Sequence, residues 1–171
     1  MKTGRLLLWC SLCIIGALAL TTRSPEVFAD QAKQERSLVY LLEVDGSINP
    51  ALADYIIKGI ARAEQDRATC VIIRMDTPGG LVSTTKTIIK EMINARVPIV
   101  VYVAPRGSSA ASAGALITVA SDVAAMAPST NIGAAHPVGG GGENIGGAMS
   151  EKILNDLTAY MRGIVEKKGR N

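Results

Sequence analysis

From Leu38 onward, short and nearly continuous apolar runs, the second interrupted by Arg74, alternate with longer stretches in which apolar residues recur every three or four positions. Leu38 to Val44, Cys70 to Met75, Ile99 to Val103 and Val123 to Met126 are runs of the first kind. Their length and continuity predict strands covered on both faces. Between them, Leu52, Tyr55, Ile56 and Ile60 keep helical spacing, as do Ile88, Ile89, Met92 and Ile93. Asn49 before Pro50 predicts the capped start of the first helix, which should end near Gln65 to Arg67. The second helix is expected from Val82 to Asn94 and a third from near Ala110 to about Ala120. Asn131 to Ala134 is a candidate for one more short strand. A fourth helix is expected to start near Ser150, with Ile153, Leu154, Leu157, Met161, Ile164 and Val165 as its apolar face and Gly169 as its stop. Strands alternating with helices predict an α/β fold of βαβ units, a largely parallel sheet flanked by helices.

Two segments fall outside this rhythm. Val138 to Met149 holds six glycines in twelve residues and reads as a loop, either a lid over a cleft or a plain insertion. No phosphate-loop lysine pattern follows it. At the N-terminus, Lys2 and Arg5 precede an apolar run from Leu6 to Leu20, and Val27-Phe28-Ala29 supplies small residues for cleavage before Asp30. Residues 1–29 are therefore expected to be a secretory signal peptide and 30–36 a flexible lead-in to a domain covering 37–171. The alternative is an uncleaved anchor, for which the apolar run is short. Removing the leader leaves Cys70 as the single cysteine, so no internal disulfide is expected, and Cys70 reads as a core thiol.

Composition narrows the function classes. The 171 residues suit one domain, and with 48% hydrophobic but only 4% aromatic residues the core must be aliphatic. The net charge of +3 is mild, and no Lys/Arg stripe with interleaved aromatics occurs, which disfavours nucleic acid as a partner.

Candidate chemistry lies at two glycine signals, Asp76-Thr77-Pro78-Gly79-Gly80 and Gly107-Ser108-Ser109-Ala110-Ala111-Ser112-Ala113-Gly114. A serine among small residues at the start of an apolar helix reaches a substrate carbonyl closely. The orphan N–H groups and dipole of the helix start favour a developing oxyanion. The amide of Ala113 and that of Gly79 or Gly80 are candidate donors, since glycine permits close backbone approach. On spacing alone, the reading of Ser112 as a small residue that allows tight helix packing stands slightly ahead. A serine nucleophile needs a base. His136 is the single histidine, and Lys152 is placed by the pattern in the first turn of the fourth helix, where the dipole disfavours a cation. Each also has an ordinary reading, His136 as a loop residue beside Pro137 and Lys152 as a solvated lysine.

Pro78-Gly79-Gly80, Ala110-Ala111-Ser112-Ala113-Gly114 and Ala127-Pro128 through Ile132-Gly133-Ala134 resemble serine peptidases of the Clp-protease/crotonase type. Within that group the chain is most similar to the N-terminal catalytic domain of the NfeD family of membrane-bound serine proteases, with Arg106-Gly107, Met126-Ala127-Pro128 and Gly169-Arg170-Asn171 also fitting. The resemblance implies a cofactor-free Ser-Lys dyad of Ser112 and Lys152, with His136 as the alternative base because it sits where Clp peptidases carry a triad histidine. It also implies action at the extracytoplasmic side of a membrane on apolar segments, including those of stomatin-like partners, and a homo-oligomer. The family's domain continues beyond Gly-Arg-Asn, so a C-terminally shortened domain is expected. Two alternatives remain at this point: a non-catalytic scaffold that binds a membrane partner, and a crotonase-type acyl-CoA enzyme.

Overall fold

The computed structural model describes residues 37–135 and 147–170. The chain runs β1 (Val39–Asp45), α1 (Pro50–Gln65), β2 (Cys70–Asp76), α2 (Val82–Asn94), β3 (Ile99–Val103), β4 (Ser109–Ala111), α3 (Ala113–Ala120), β5 (Val123–Met126), β6 (Asn131–Gly133) and α4 (Gly147–Lys167). One parallel sheet has the order β1-β2-β3-β5, and β4 pairs in parallel with β6 as a second, two-stranded sheet. The fold is therefore the α/β arrangement that the alternating pattern predicts.

Spatial order follows chain order without reversal. Crossovers of the usual right hand then place successive helices on the same face of the main sheet. Burial agrees with this. Leu42 and Val44, Ile73 and Met75, and Val101 and Val103 point into one core with Ile56 of α1, Ile88 and Met92 of α2, Ile117 of α3 and Ile164 of α4. Each isoleucine fully withdrawn from water there contributes about 1.5–3 kcal/mol. The opposite face differs from the expectation of cover on both sides. Across it, Leu41, Ile72, Val100 and Val123 stand in register, and among the described residues Leu41 stays 53% and Val123 52% exposed. The monotonic strand order, which periodicity does not encode, is the reason.

Local signals explain most element boundaries. Leu52 N–H donates to Asn49 Oδ1 at 3.0 Å, and Pro50 occupies the first helical position of α1. Three expectations need correction. Ala110 lies in a strand and not in the third helix, which starts only at Ala113. Helix α4 begins at Gly147, three residues before Ser150, so it takes in the end of the glycine-rich segment. Cys70 is half-buried at the mouth of β2, less enclosed than a core thiol. The expected signal peptide, the lead-in and most of the glycine-rich loop lie outside the described residues. Among the described residues no helix is long and apolar enough to cross a membrane.

The end of α4 is tied to the start of β5. Lys168 pairs with Asp122, and the Arg170 guanidinium donates to Ser121 O at 3.1 Å. Asp122 also accepts from Ile99 N–H at 2.8 Å. Burial works against its ionisation, but the Ile99 amide, Lys168 and Arg170 together outweigh that and hold the carboxyl below its ordinary value.

Candidate active site

Strand β2 runs into the Asp76-Thr77-Pro78-Gly79-Gly80 turn, and this turn is stitched to β4. Thr77 N–H donates to Ser109 O at 2.7 Å, and Ala111 N–H donates to Thr77 O at 3.1 Å. The stitching brings the two glycine signals of the sequence side by side. Strand β4 ends at Ala111, α3 begins at Ala113, and Ser112 alone makes the corner with φ +51° and ψ −113°. That is a sharp strand-to-helix elbow, a conformation L-residues adopt at a cost of about 1–3 kcal/mol and one that projects the side chain from the turn. Ser112 N–H donates to Gly133 O at 2.7 Å, while Ser112 O accepts from Ala115 N–H at 3.0 Å, so the corner is held from both ends.

The surroundings separate the three serines of the motif. Ser108 is 2% exposed, with an Oγ that has no hydrogen-bond partner among the described residues. Ser109 sits within β4, its N–H bonded to Asp76 Oδ1 at 2.9 Å. Ser112 alone lines a cleft, together with Gly80, Val82, Ala113, Leu116 and Leu157. Leu116, Ala135 and Leu157 are shared with a larger groove of about 490 Å³, whose other walls include Ala134, Leu154, Met161 and Val165, with Arg162 at its polar margin. An extended apolar side chain fits such a groove.

Both glycines are required by contact. A Cβ on Gly79 would lie 2.7 Å from Ser112 Cβ, and the residue has φ +121°. A Cβ on Gly80 would lie 2.1 Å from Ile48 O. The same closeness sorts their amides. Gly79 N–H is occupied by Thr77 Oγ1 at 3.1 Å. Gly79 O accepts from Ile48 N–H at 2.8 Å, and Leu81 N–H donates to Ile48 O at 3.0 Å. This parallel bridge binds Ile48 through the residues on either side of Gly80, so the N–H of Gly80 itself points away from Ile48. Ala113 is the first residue of α3, where an amide has no intrahelical acceptor. Among the described residues neither Gly80 N–H nor Ala113 N–H has a hydrogen-bond partner. Of the two glycine amides that the sequence leaves open, Gly79's is therefore already engaged.

Lys152 requires a correction. Because α4 starts at Gly147, Lys152 stands in its second turn, beyond the reach of the terminal dipole that its expected place invoked. Its side chain is exposed, and among the described residues no hydrogen bond joins it to Ser112. Its position along the helix is nonetheless informative. Asp156, one turn on, pairs with Lys86 of α2 at 2.6 Å, and Leu157 shares the serine cleft with Val82 and Thr85 of α2. Tyr160 lies further along, with Lys90 and Ile93. Helix α4 thus meets α2 at Asp156, Leu157 and Tyr160, on the side of α2 that borders the serine cleft. His136 lies outside the described residues.

Sequence reasoning missed Thr77, whose hydroxyl engages the glycine turn, and the cleft walls Leu116 and Leu157. The signal for Thr77 was its place two residues before Gly79, the spacing at which a Thr hydroxyl bonds a turn amide. Leu157 was assigned only to the apolar face of the fourth helix and Leu116 was not singled out within the third, because nothing local links α3 to α4.

The description "NfeD1b, N-terminal domain" matches residues 38–171. Membrane-bound protease PH1510 of Pyrococcus horikoshii is 38% identical over 139 residues, which is 80% of this chain but 31% of that protein, so the chain spans about a third of its length. Two solved structures of a 1510-N membrane-bound stomatin-specific protease are each 36% identical. A lysine-to-alanine variant in complex with a substrate peptide covers 80% of this chain and 63% of the other at TM-score 0.73; a serine-to-alanine variant covers 79% and 66% at 0.72. The replaced serine and lysine of that protease lie 41 positions apart, against 40 for Ser112 and Lys152. A ClpP1 variant from Listeria monocytogenes, 20% identical over 77% of this chain and 73% of its own at TM-score 0.59, shares the fold.

Proposed function

Because the chain belongs to the NfeD1b N-terminal domain family, we propose that it is a serine endopeptidase with Ser112 as nucleophile and Lys152 as general base. The observation that carries this reading is the elbow at Ser112, which sets a strained serine beside two backbone N–H groups that have no partner among the described residues, those of Gly80 and Ala113. In the proposed reaction Ser112 Oγ attacks the scissile carbonyl while Lys152 Nζ takes the hydroxyl proton. The developing oxyanion is held by the Gly80 and Ala113 amides, aided by the start of α3. Lys152 returns its proton to the leaving amine, and water then hydrolyses the acyl-enzyme. The run of α4 along α2 and the similar serine-to-lysine spacing of the 1510-N protease support Lys152 in this role.

The substrate is proposed to be an apolar segment of a membrane-associated protein, a stomatin-like partner among them. The groove of Leu154, Leu157, Met161 and Val165 beside Ser112 supports the apolar preference, and the relative's description as stomatin-specific supports the partner class. An exported location follows from the N-terminal pattern of residues 1–29.

A fluorophosphonate probe and an apolar test peptide examine the reading together. Wild type is expected to be labelled at Ser112 and to cleave the peptide. Ser112→Ala should lose both, with turnover down at least about 10³-fold, and Lys152→Ala should lose turnover at full folding. Cleavage surviving in Ser112→Ala defeats the mechanism. The exposed side chain of Lys152, with no bond to Ser112 among the described residues, favours one other reading, a groove that binds a membrane partner without cutting it. Peptide binding without labelling or turnover in wild type would select that reading.

A further inference from the structure

We propose that Thr77 is the positioning residue of the oxyanion hole, deciding which glycine amide faces the substrate; this rests on the serine-peptidase reading above. Thr77 is fully buried, and its hydroxyl lies 3.1 Å from Gly79 N and 3.3 Å from Gly79 O. Gly79 O also accepts from Ile48 N–H at 2.8 Å and from Ser47 Oγ at 3.3 Å. In a trans peptide the C=O and the following N–H point in opposite directions. Donors converging on Gly79 O therefore aim Gly80 N–H the other way, toward the cleft that Gly80 shares with Ser112. Thr77 also holds the preceding peptide, since it engages the Gly79 N–H that would otherwise compete for the same side.

Two glycines in succession make such a turn easy to rearrange, and Gly79 sits at a φ open to glycine. Without the hydroxyl, the buried Gly79 N–H loses its acceptor, and an unpartnered buried amide drives the chain to turn until it finds another. The donor pattern of the hole would change with it. Thr77 does not touch substrate in this scheme; it acts through the orientation of two peptide planes. Its methyl group has a separate task. A Cβ on Gly114 would lie 2.5 Å from Thr77 Cγ2, so the methyl fills the space beneath α3 that glycine leaves.

The two parts of the side chain give the test. Thr77→Val keeps the methyl and removes the hydroxyl, whereas Thr77→Ser keeps the hydroxyl and removes the methyl. Crystal structures of the full-length variants are expected to show the Pro78-Gly79-Gly80 peptides turned in Thr77→Val and unchanged in Thr77→Ser. Peptide cleavage should lose about 10–100-fold in kcat at unchanged KM for Thr77→Val, part of what an oxyanion donor supplies, and stay within about threefold of wild type for Thr77→Ser. An unturned loop in Thr77→Val overturns the proposal whatever the turnover, as does a Thr77→Ser variant as impaired as Thr77→Val. A failure of the peptidase reading looks different: wild type would hold the loop as described and still cleave nothing.

Discussion

The two sides of the proposed dyad are built differently. Ser112 is fixed by backbone: its N–H on Gly133 O, its carbonyl on α3, Gly79 packed against its Cβ, and Thr77 joining the glycine turn to β4. Lys152 stands on a helix docked through side chains, chiefly buried Leu157 and Ile164, the Asp156–Lys86 pair and the end contacts at Asp122. A nucleophile set by backbone tolerates little change nearby but holds its geometry. A base set by side-chain docking is adjusted by many small contacts. Substitutions on the two sides should therefore fail in different ways, the first steeply and the second by degrees.

The steepest failure is expected at Gly80. Alanine there would place a Cβ 2.1 Å from Ile48 O, a clash with backbone that no side-chain rotation relieves. Relief requires breaking the Ile48–Gly80 bridge and moving the turn. A loss of about 3 kcal/mol or more is expected from overpacking together with the lost bonds, read as a lower urea midpoint at unchanged m-value. Turnover should fall further than stability accounts for, because the same amide is a proposed oxyanion donor. A Gly80→Ala protein with wild-type stability and turnover would show that the serine side is no stiffer than the other.

On the α4 side, Leu157→Ala is the sharpest single test. Leu157 is 5% exposed and forms a wall of both the serine cleft and the apolar groove. Truncation should cost about 2–3 kcal/mol and raise KM for an apolar peptide more than it lowers fluorophosphonate labelling of Ser112. Equal losses in both measurements would mean that the serine side depends on α4 for its geometry.

The contrast also separates what the sequence revealed from what it did not. The ends of α2, β3 and β5 follow from apolar runs and spacing, and the start of α1 from Asn49-Pro50, because these depend on neighbours in the chain. Ser112 stood out from Ser108 and Ser109 only through a resemblance; physically the choice is made by β4, a three-residue strand that exists because β6 and Thr77 pair with it. Its apolar character differs little from a helix start, so periodicity assigned Ala110 to α3. The start of α4 was misplaced for a similar reason. Glycines read as loop, yet Gly147 opens the helix, and the dipole argument for Lys152 shifted by a turn. Among the described residues, the one-sided cover of the sheet follows from strand order, a long-range property.

A smaller effect is expected where α4 ends. Asp122 has a lowered pKa, so its contribution is present above the unfolded carboxylate value near 3.9 and is lost as pH falls through the folded value. Asp122→Asn should remove about 1 kcal/mol at neutral pH, a figure kept low because the side chain is 39% exposed. The difference from wild type should begin to shrink below about pH 4, where the unfolded carboxyl protonates first, and disappear as pH falls through the lower native value. A difference that persists unchanged at pH 3 would assign the effect to shape and not to charge.

The smallest effect is expected at Lys86, the contact that aligns α4 with α2. Its ammonium meets Asp156 at 2.6 Å and lies 5.2 Å from the centre of the Tyr160 ring. The Asp156 side chain is 67% exposed, so water and salt screen the pair, and its worth is bounded at about 1 kcal/mol. The attraction of the charge to the ring is worth about 0.5–1 kcal/mol at such a site, and a methionine there recovers a similar amount through its own sulfur–ring contact. Lys86→Met keeps the length of the side chain and its packing on Tyr160 while removing the charge. Its stability should lie within about 1 kcal/mol of wild type, and the gap should narrow further at 0.5 M salt. A double-mutant cycle with Asp156→Asn isolates the pair. A coupling of 2 kcal/mol or more, insensitive to salt, would place the base side among the rigid parts of the molecule, and the contrast between the two sides would fail.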